Sequence, residues 1–138
     1  QLTAVDSSSQ GIALIRTLFN HLSDEIQTTL RAVNAPAGVF LPRLNAETYD
    51  LIVVAGDPGN YDASFEQAPR LLKSHGVIVF TDMLAFESAE SAGGVLNPAN
   101  RDAKSVAMRA LLETVESDER FVTTLTPTGT GLLVAVKR

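Results

Sequence analysis

Short apolar runs alternate along the chain with segments in which apolar residues recur every three or four positions. The short runs are rich in aliphatic and β-branched residues, which predicts β-strands at residues 2 to 5, 28 to 33, 51 to 54 and 77 to 80. The helical spacing predicts three α-helices, at residues 7 to 22, 61 to 73 and 97 to 115. Two further β-rich runs, residues 121 to 125 and 131 to 136, flank a short turn and predict an antiparallel hairpin.

Capping and turn residues set the expected limits of these elements. Serines at 7 to 9 offer side-chain oxygens to the first helix, and the Asn-Pro pair at 97 to 98 predicts the start of the last one. Pro69 is expected to kink or end the second helix. Residues 35 to 38 and 74 to 76 predict turns.

The order of these elements predicts one α/β domain over residues 1–138. Strands that alternate with helices predict a mostly parallel sheet, and the terminal hairpin adds an antiparallel edge. Because the run at 51 to 54 is continuously apolar, its strand is expected to be covered on both faces. Ligands of such sheets bind at the carboxyl ends of the strands. Those ends carry Asp6 and residues 34 to 37, 55 to 58 and 81 to 83.

Composition narrows the classes of partner. Hydrophobic residues make up 45% of the chain and charged residues 20%, which excludes a disordered protein. The net charge of −5, without a basic run, argues against nucleic acid or an anionic membrane as partners. No apolar run approaches the roughly 20 residues of a membrane span, and the cytoplasm is the expected compartment. The chain has no Cys, so disulfides and thiolate sites are excluded.

Five segments, in this order and spacing, resemble the O-methyltransferases that use S-adenosylmethionine, the group that contains the catechol and caffeoyl-CoA enzymes. The segments are LTAVD, LRAVNAPAGVFLPRL, YDLIVVAGDPGNY, RLLKSHGVIVFTDM and TPTGTGLLVAVKR. Together they cover essentially the whole chain. The resemblance implies a Rossmann-like class I methyltransferase sheet, S-adenosylmethionine as cofactor, and methyl transfer to a small phenolic or catechol-like molecule.

The resemblance also implies where the cofactor binds. An acid at the position of Asp6 accepts hydrogen bonds from the two ribose hydroxyls, which suits a carboxylate because it offers several acceptor sites. The alternative is an acid that only stabilises the helix N-terminus through the dipole. Small residues after the second strand leave room for the adenine ring. Cofactor contacts are therefore expected at Asp6, Ser7, Pro36, Ala37, Ala55 and Gly56.

The chain departs from the resemblance where relatives hold a divalent cation. Such relatives read Asp-x-Asp-Lys after the strand that here ends at Val54, and Asp-Asn after the next strand. In this chain the first acid is Ala55, the Lys is Pro58 and the Asn is Met83, so only Asp82 remains of three ligands. A hard cation needs several oxygen ligands, and a thioether is a soft, weak acceptor. We therefore expect no metal site.

Without a cation or the Lys, another group must accept the substrate proton. Asp57 and Asp82 are the candidates by position, and a carboxylate can act as a general base. His21 and His75 are expected in surface or dipole roles instead. A substrate that is already acidic would need little base, because positioning alone supplies much of the rate.

A second departure concerns the front of the fold. The glycine-rich cofactor loop and the first strand of the family do not occur in these 138 residues, which resemble the C-terminal two thirds of a longer protein. In the family that strand lies in the middle of the sheet, so its absence exposes strand edges. A homodimer is expected, as is common in the family.

Other classes of protein remain open. A methyltransferase-like binding module without turnover accounts for the missing ligands, and another Rossmann-type nucleotide-binding domain would also place an acid after the second strand. The chain does not contain the G-x-G-x-x-G motif of such a nucleotide-binding domain, nor the acidic cluster of a receiver domain. Substrate contacts are expected on the loop at 84 to 96.

Overall fold

The computed structural model describes residues 1–86 and 92–138, which form two compact units, Gln1–Arg43 and Leu44–Arg138. The first unit contains two strands and two helices, namely β1 (Leu2–Asp6), α1 (Ser9–Leu22), β2 (Leu30–Asn34) and α2 (Ala37–Phe40). Strands β1 and β2 pair in parallel, with Asp6 opposite Asn34. The predicted strand–helix–strand order is therefore confirmed, and the carboxyl ends of both strands lie side by side.

Local hydrogen bonds define where the helices of the first unit begin. The predicted serine cap is confirmed, because the Ser8 hydroxyl accepts the N–H of Gly11 at 3.2 Å. The turn predicted at 35 to 38 is wrong. The Pro36 carbonyl accepts the N–H groups of Val39 and Phe40 at 3.1 Å each, so the chain enters the short helix α2 there. Pro36 is the N-cap of this helix and has an extended conformation, with φ −61° and ψ 139°.

The second unit contains one four-stranded sheet and two helices. Its elements are β3 (Tyr49–Val54), α3 (Tyr61–Leu71), β4 (Leu72–Phe80), α4 (Ala103–Ser117), β5 (Phe121–Thr126) and β6 (Leu132–Lys137). The strand order is β3-β4-β6-β5, with β3 and β4 parallel and β6 antiparallel to both β4 and β5. The predicted combination of parallel strands and a terminal antiparallel hairpin is confirmed.

Helices α3 and α4 cover one face of this sheet and form the core with it. The Phe80 ring, at the end of β4, lies 5.7 Å from Tyr61 and 6.2 Å from Phe65 between ring centroids. Phe65 in turn lies 5.4 Å from Phe121. Burying one such ring contributes on the order of 1.5–3 kcal/mol, so this cluster fixes the carboxyl end of β4.

The prediction that strand β3 is covered on both faces is wrong. Leu51 and Val53 on β3 are 56% and 59% exposed, so that strand is not covered on both faces. Strand β3 lies at the end of the strand order, and α3 and α4 pack only on the opposite face. A continuous apolar run shows that both faces of a strand are apolar, but it does not supply the layer that covers them.

Two element limits in the second unit also differ from prediction. Residues 74 to 76 belong to β4 rather than to a turn, with His75 at φ +64° and a shift in register against β3. Helix α4 begins at Ala103 instead of Asn97, because the Asp102 carboxylate accepts both the N–H and the hydroxyl of Ser105 at 2.8 Å. The Asn97 side chain instead accepts the N–H of Ala99 in a turn and donates to the Ala92 carbonyl.

Helix α3 contains the proline that was expected to kink or end it. Pro69 lies inside α3, which continues to Leu71 before the chain enters β4.

Over the described residues, no helix has both the length and the apolar character that a bilayer crossing requires.

Tyr61 gives the fold a defined response to alkaline pH. Its side chain is 1% exposed, and its hydroxyl donates to the Thr81 carbonyl at 2.9 Å. Burial raises the pKa of Tyr61 above its usual value of 10.0. The hydrogen bond with the Thr81 side chain lowers this pKa in part, and the negative charge of Asp82 raises it. A raised pKa in the folded state gives stability that is complete below the unfolded pKa and is lost as pH rises through the folded pKa.

We predict that Tyr61→Phe lowers the free energy of unfolding by about 1 kcal/mol at neutral pH, since one hydrogen bond is lost. Above about pH 10 this difference should shrink and then reverse, because the Tyr61 phenol ionises more readily in the unfolded chain, which favours unfolding of the wild type alone. Urea unfolding from neutral pH to about pH 11 measures it. Tyr49→Phe is the control, because the Tyr49 hydroxyl makes no hydrogen bond within the described residues. A constant difference across this range would contradict the prediction.

Candidate functional site

Asp6 stands at the carboxyl end of β1, where its carboxylate faces the start of α1. Its Oδ1 accepts the N–H of Ser8 at 2.7 Å, and the half-buried side chain lies where the helix dipole favours negative charge. A carboxylate offers about four acceptor positions, so this bond leaves others for a ligand hydroxyl. The arrangement supports both expected roles of Asp6, as a helix-terminal acid and as a ligand acceptor.

Gly11 provides the space that the Asp6 carboxylate occupies. A Cβ atom at position 11 would lie 2.3 Å from Asp6 Oδ2, far inside contact distance. Gly weakens a helix by about 1 kcal/mol relative to Ala, so its place in the first turn of α1 requires a packing reason. Sequence reasoning missed this residue, and the signal for it was a glycine three residues after the helix cap.

Asn34 was also missed as an individual residue, although it lies in the predicted segment at 34 to 37. With its side-chain NH₂ turned toward β1, it donates to the carbonyls of Asp6 and Ser7, both at 3.1 Å. The N–H of Ala35 donates to the same Asp6 carbonyl at 3.1 Å. Asn34 therefore fixes the backbone that carries the carboxylate.

The other expected cofactor residues of the first unit follow the same two strand ends. Ser7 is exposed directly after β1, while Pro36 caps α2 and Ala37 is its first residue. The unit thus brings Asp6, Ser7 and the Pro36–Ala37 start of α2 to one end of the parallel pair. This end presents a carboxylate acceptor beside small side chains that leave room for a flat ring.

In the second unit, the segment after β3 carries Ala55, Gly56 and Asp57. Gly56 has φ +87°, a left-handed conformation that glycine adopts without strain. The exposed Asp57 carboxylate accepts the N–H of Gly59 at 2.9 Å and caps the short 3₁₀ turn Pro58–Asn60. Its orientation is therefore set by its own neighbours in sequence.

Asp82 follows the adjacent strand β4. The N–H of Thr81, the residue after β4, donates to the carbonyl of Val54, the last residue of β3, at 3.1 Å. Asp82 is half-buried, has φ +56°, and its carboxylate accepts the hydroxyl of Thr130. Because β3 and β4 are parallel neighbours, the segments that carry Asp57 and Asp82 emerge at the same end of this sheet.

Two of the three positions at which the resemblance implies cation ligands, Ala55 and Met83, have side chains without oxygen. Ala55 ends in a methyl group, and the Met83 side chain is 1% exposed within the hydrophobic core. Throughout residues 1–86 and 92–138, no three His, Asp or Glu side chains are grouped closely enough to bind a metal ion. His21 and His75 are both exposed.

The loop expected to contact substrate, at 84 to 96, is described only in part, because residues 87–91 lie outside the described residues. Its two ends meet, since the N–H of Val95 donates to the Leu84 carbonyl at 2.9 Å. A Cβ at Gly94 would lie 2.1 Å from that carbonyl, so the close approach requires glycine.

Comparison with known proteins gives one consistent result. A family model described as O-methyltransferase matches residues 1–138. A candidate O-methyltransferase of Mycobacterium leprae (strain TN) is 32% identical over 136 residues, which cover 99% of this chain and 58% of that protein. This chain therefore spans a little more than half the length of that relative.

Solved structures share the fold. A Corynebacterium glutamicum protein superposes with a TM-score of 0.83 at 24% identity, over 99% of this chain and 60% of that one. An O-methyltransferase of Bacillus cereus, solved with S-adenosylhomocysteine, superposes with a TM-score of 0.79 at 18% identity, over 100% and 63%. These similarities establish a class I methyltransferase fold.

Proposed function

We propose that this chain, which belongs to the O-methyltransferase family, carries part of the site of an enzyme that transfers a methyl group from S-adenosylmethionine to a hydroxyl of a small molecule. The observation that carries the proposal is the match of the family over residues 1–138, with an acid held at the end of β1. Because the chain spans 58% of its relative, the proposal concerns the activity of the whole protein to which these strand ends contribute.

Asp6 is the proposed ribose acceptor. Its Oδ1 is bonded to the Ser8 N–H, and its backbone carbonyl accepts from Ala35 and Asn34, so the carboxylate is oriented before a ligand binds. Hydrogen bonds to an ionised acceptor are among the strong ones in proteins. Within the first unit, Ser7, Pro36 and Ala37 lie at the same end as Asp6 and are further proposed contacts. Within the second unit, Ala55 and Gly56 after β3 are proposed separately as cofactor contacts.

Asp82 is the proposed general base, with Asp57 as the second candidate. When bound, S-adenosylmethionine supplies a methyl carbon on a positively charged sulfur. The methyl group would pass to the substrate oxygen with S-adenosylhomocysteine as the leaving group, and the Asp82 carboxylate would accept the proton of the substrate hydroxyl. Asp82 is favoured because it is half-buried and held from another element, whereas Asp57 is exposed and caps its own turn. A phenolic or catechol-like substrate suits this chemistry, because its hydroxyl is comparatively acidic.

We propose that the transfer needs no divalent metal. Asp82 is one oxygen ligand, while Ala55 has only a methyl group and the Met83 thioether is buried in the core. Mg²⁺ requires near-octahedral oxygen coordination, which this set does not offer. Substrate orientation must then come from positioning by the protein.

A binding module without turnover is the second candidate. It is favoured by Pro58 and Met83, which stand where related enzymes have the Lys and the Asn of the metal site. Cofactor binding without methyl transfer would identify it.

We also propose that the protein acts as a homodimer. The uncovered face of the β3-β4-β6-β5 sheet supports self-association, because Leu51, Val53 and Val122 are all more than half exposed there.

Calorimetry on the full protein is expected to detect S-adenosylmethionine binding that depends on Asp6. Asp6→Asn keeps the shape and an acceptor for Ser8 but removes the charge, so we expect about a 10- to 100-fold loss of affinity. Asp24→Asn, at an exposed position after α1, is the matched control and should bind like the wild type. Equal affinities of all three proteins would exclude Asp6 as the ribose acceptor.

Methyl transfer to phenolic acceptors is expected to persist when a chelator removes divalent ions. Rates with chelator and with added Mg²⁺ should agree within about twofold, because no oxygen cage is available to use the ion. A steep loss with chelator, restored by Mg²⁺, would refute metal independence. Binding of S-adenosylmethionine without turnover in either condition would favour the binding module.

A further inference from the structure

The tip of the β5–β6 hairpin contacts the segment that carries Asp82. The N–H groups of Met83 and Leu84 donate to the carbonyls of Gly131 and Thr130, at 3.1 and 3.0 Å. The Thr130 hydroxyl donates to Oδ1 of the Asp82 carboxylate. Three hydrogen bonds thus join two segments that lie 48 residues apart in sequence.

Backbone conformation at this contact requires outside support. Asp82 has φ +56°, and a left-handed residue with a side chain costs roughly 1–2 kcal/mol. Gly131 has φ +96°, and a Cβ there would lie 2.6 Å from Leu84 Cγ. On the other side, the buried Tyr61 hydroxyl holds the Thr81 carbonyl at 2.9 Å. The segment is therefore held between the hairpin tip and helix α3.

The hydroxyl of Thr130 distinguishes the two oxygens of Asp82. Oδ1 accepts a hydrogen bond from the Thr130 hydroxyl, which occupies one of its lone pairs, while Oδ2 accepts no hydrogen bond within the described residues. A carboxylate without such a donor can rotate and present either oxygen. A fixed orientation matters, because proton transfer requires a heavy-atom distance of about 2.6–3.2 Å in a defined direction.

We infer that Thr130 is a positioning residue, whose hydroxyl holds the Asp82 carboxylate so that Oδ2 receives the substrate proton. The inference rests on the proposed function in which Asp82 is the base. In the step, the substrate O–H bond breaks and a new O–H bond forms at Oδ2, while the Thr130 proton stays on its own oxygen. In this role Thr130 makes no contact with substrate or cofactor, and it acts only through the Asp82 carboxylate.

Variants of the full protein test this role in turnover. Thr130→Val removes the hydroxyl at nearly constant shape, and we expect kcat to fall about 10-fold or more while KM for S-adenosylmethionine changes less than about twofold. Thr130→Ser keeps the hydroxyl and should restore most of kcat. Thr128→Val is the control, because the Thr128 hydroxyl, at the same hairpin tip, contacts Thr126 instead. In an Asp82→Asn background, Thr130→Val should cause no further loss.

Folding of the Thr130 variants is not at risk from the loss of the hydroxyl, because the bonds to Met83 and Leu84 use backbone carbonyls. Thr130→Ala provides a second variant and should match Thr130→Val in kcat. Full activity of Thr130→Val, or a Thr130→Ser enzyme as slow as Thr130→Val, would overturn the inference.

A measurement without turnover separates this inference from the proposed function. The NMR resonance of the Asp82 carboxyl carbon should shift in Thr130→Val and return in Thr130→Ser, because the carboxylate loses and regains its donor. If the wild-type protein lacks methyl transfer, the proposed function fails, but these shifts still decide whether Thr130 holds Asp82. An unchanged resonance in Thr130→Val would overturn the inference whether or not the protein is active.

Discussion

The geometry of the candidate catalytic segment depends on the two backbone hydrogen bonds between the hairpin tip and the residues after β4. The carbonyls of Gly131 and Thr130 accept from Met83 and Leu84, and they keep Asp82 in a left-handed conformation that the residue would not favour alone. The aromatic cluster around Phe80 fixes the strand that leads into this segment. Core packing and hairpin pairing therefore combine to place one carboxylate.

The first unit holds its own acid by a different means. Asp6 is oriented by the Ser8 N–H and by the space that Gly11 leaves open, while Asn34 fixes the backbone behind it. In both units, an acid at the end of a strand is bonded to a donor before any ligand arrives. Such preorganisation lowers the cost of binding and of proton transfer, because the groups need not be ordered at the moment of use. This is the physical basis of the proposed methyltransferase site.

Much of this architecture could be predicted from sequence because it depends on local patterns. Hydrophobic spacing indicated α1 and α3, the serines indicated the α1 cap, and strand ends singled out Asp6, Asp57 and Asp82. The start of α4 was not predicted, since Asn97 and Asp102 are both good caps by residue type, and the structure shows Asp102 as the one that accepts from the helix. The exposed face of β3 was missed because an apolar run does not reveal which layer will cover it.

The residues that sequence reasoning missed act over longer distances. Gly11 matters because of Asp6, and Thr130 because of a carboxylate 48 residues away, so neither role is visible in its own segment. The sequence itself has Ala55 and Met83 where the resemblance implies cation ligands, whereas the burial of Met83 in the core required the structure.

Amide hydrogen exchange at Met83 and Leu84 tests whether the hairpin tip holds the segment that follows β4. If the hairpin tip holds this segment, both amides should exchange far more slowly than those of exposed loop residues such as Asp57, because each requires an opening of the fold to lose its carbonyl partner. Exchange of both amides at the rate of an open loop, in a protein whose β4 amides remain protected, would contradict the account.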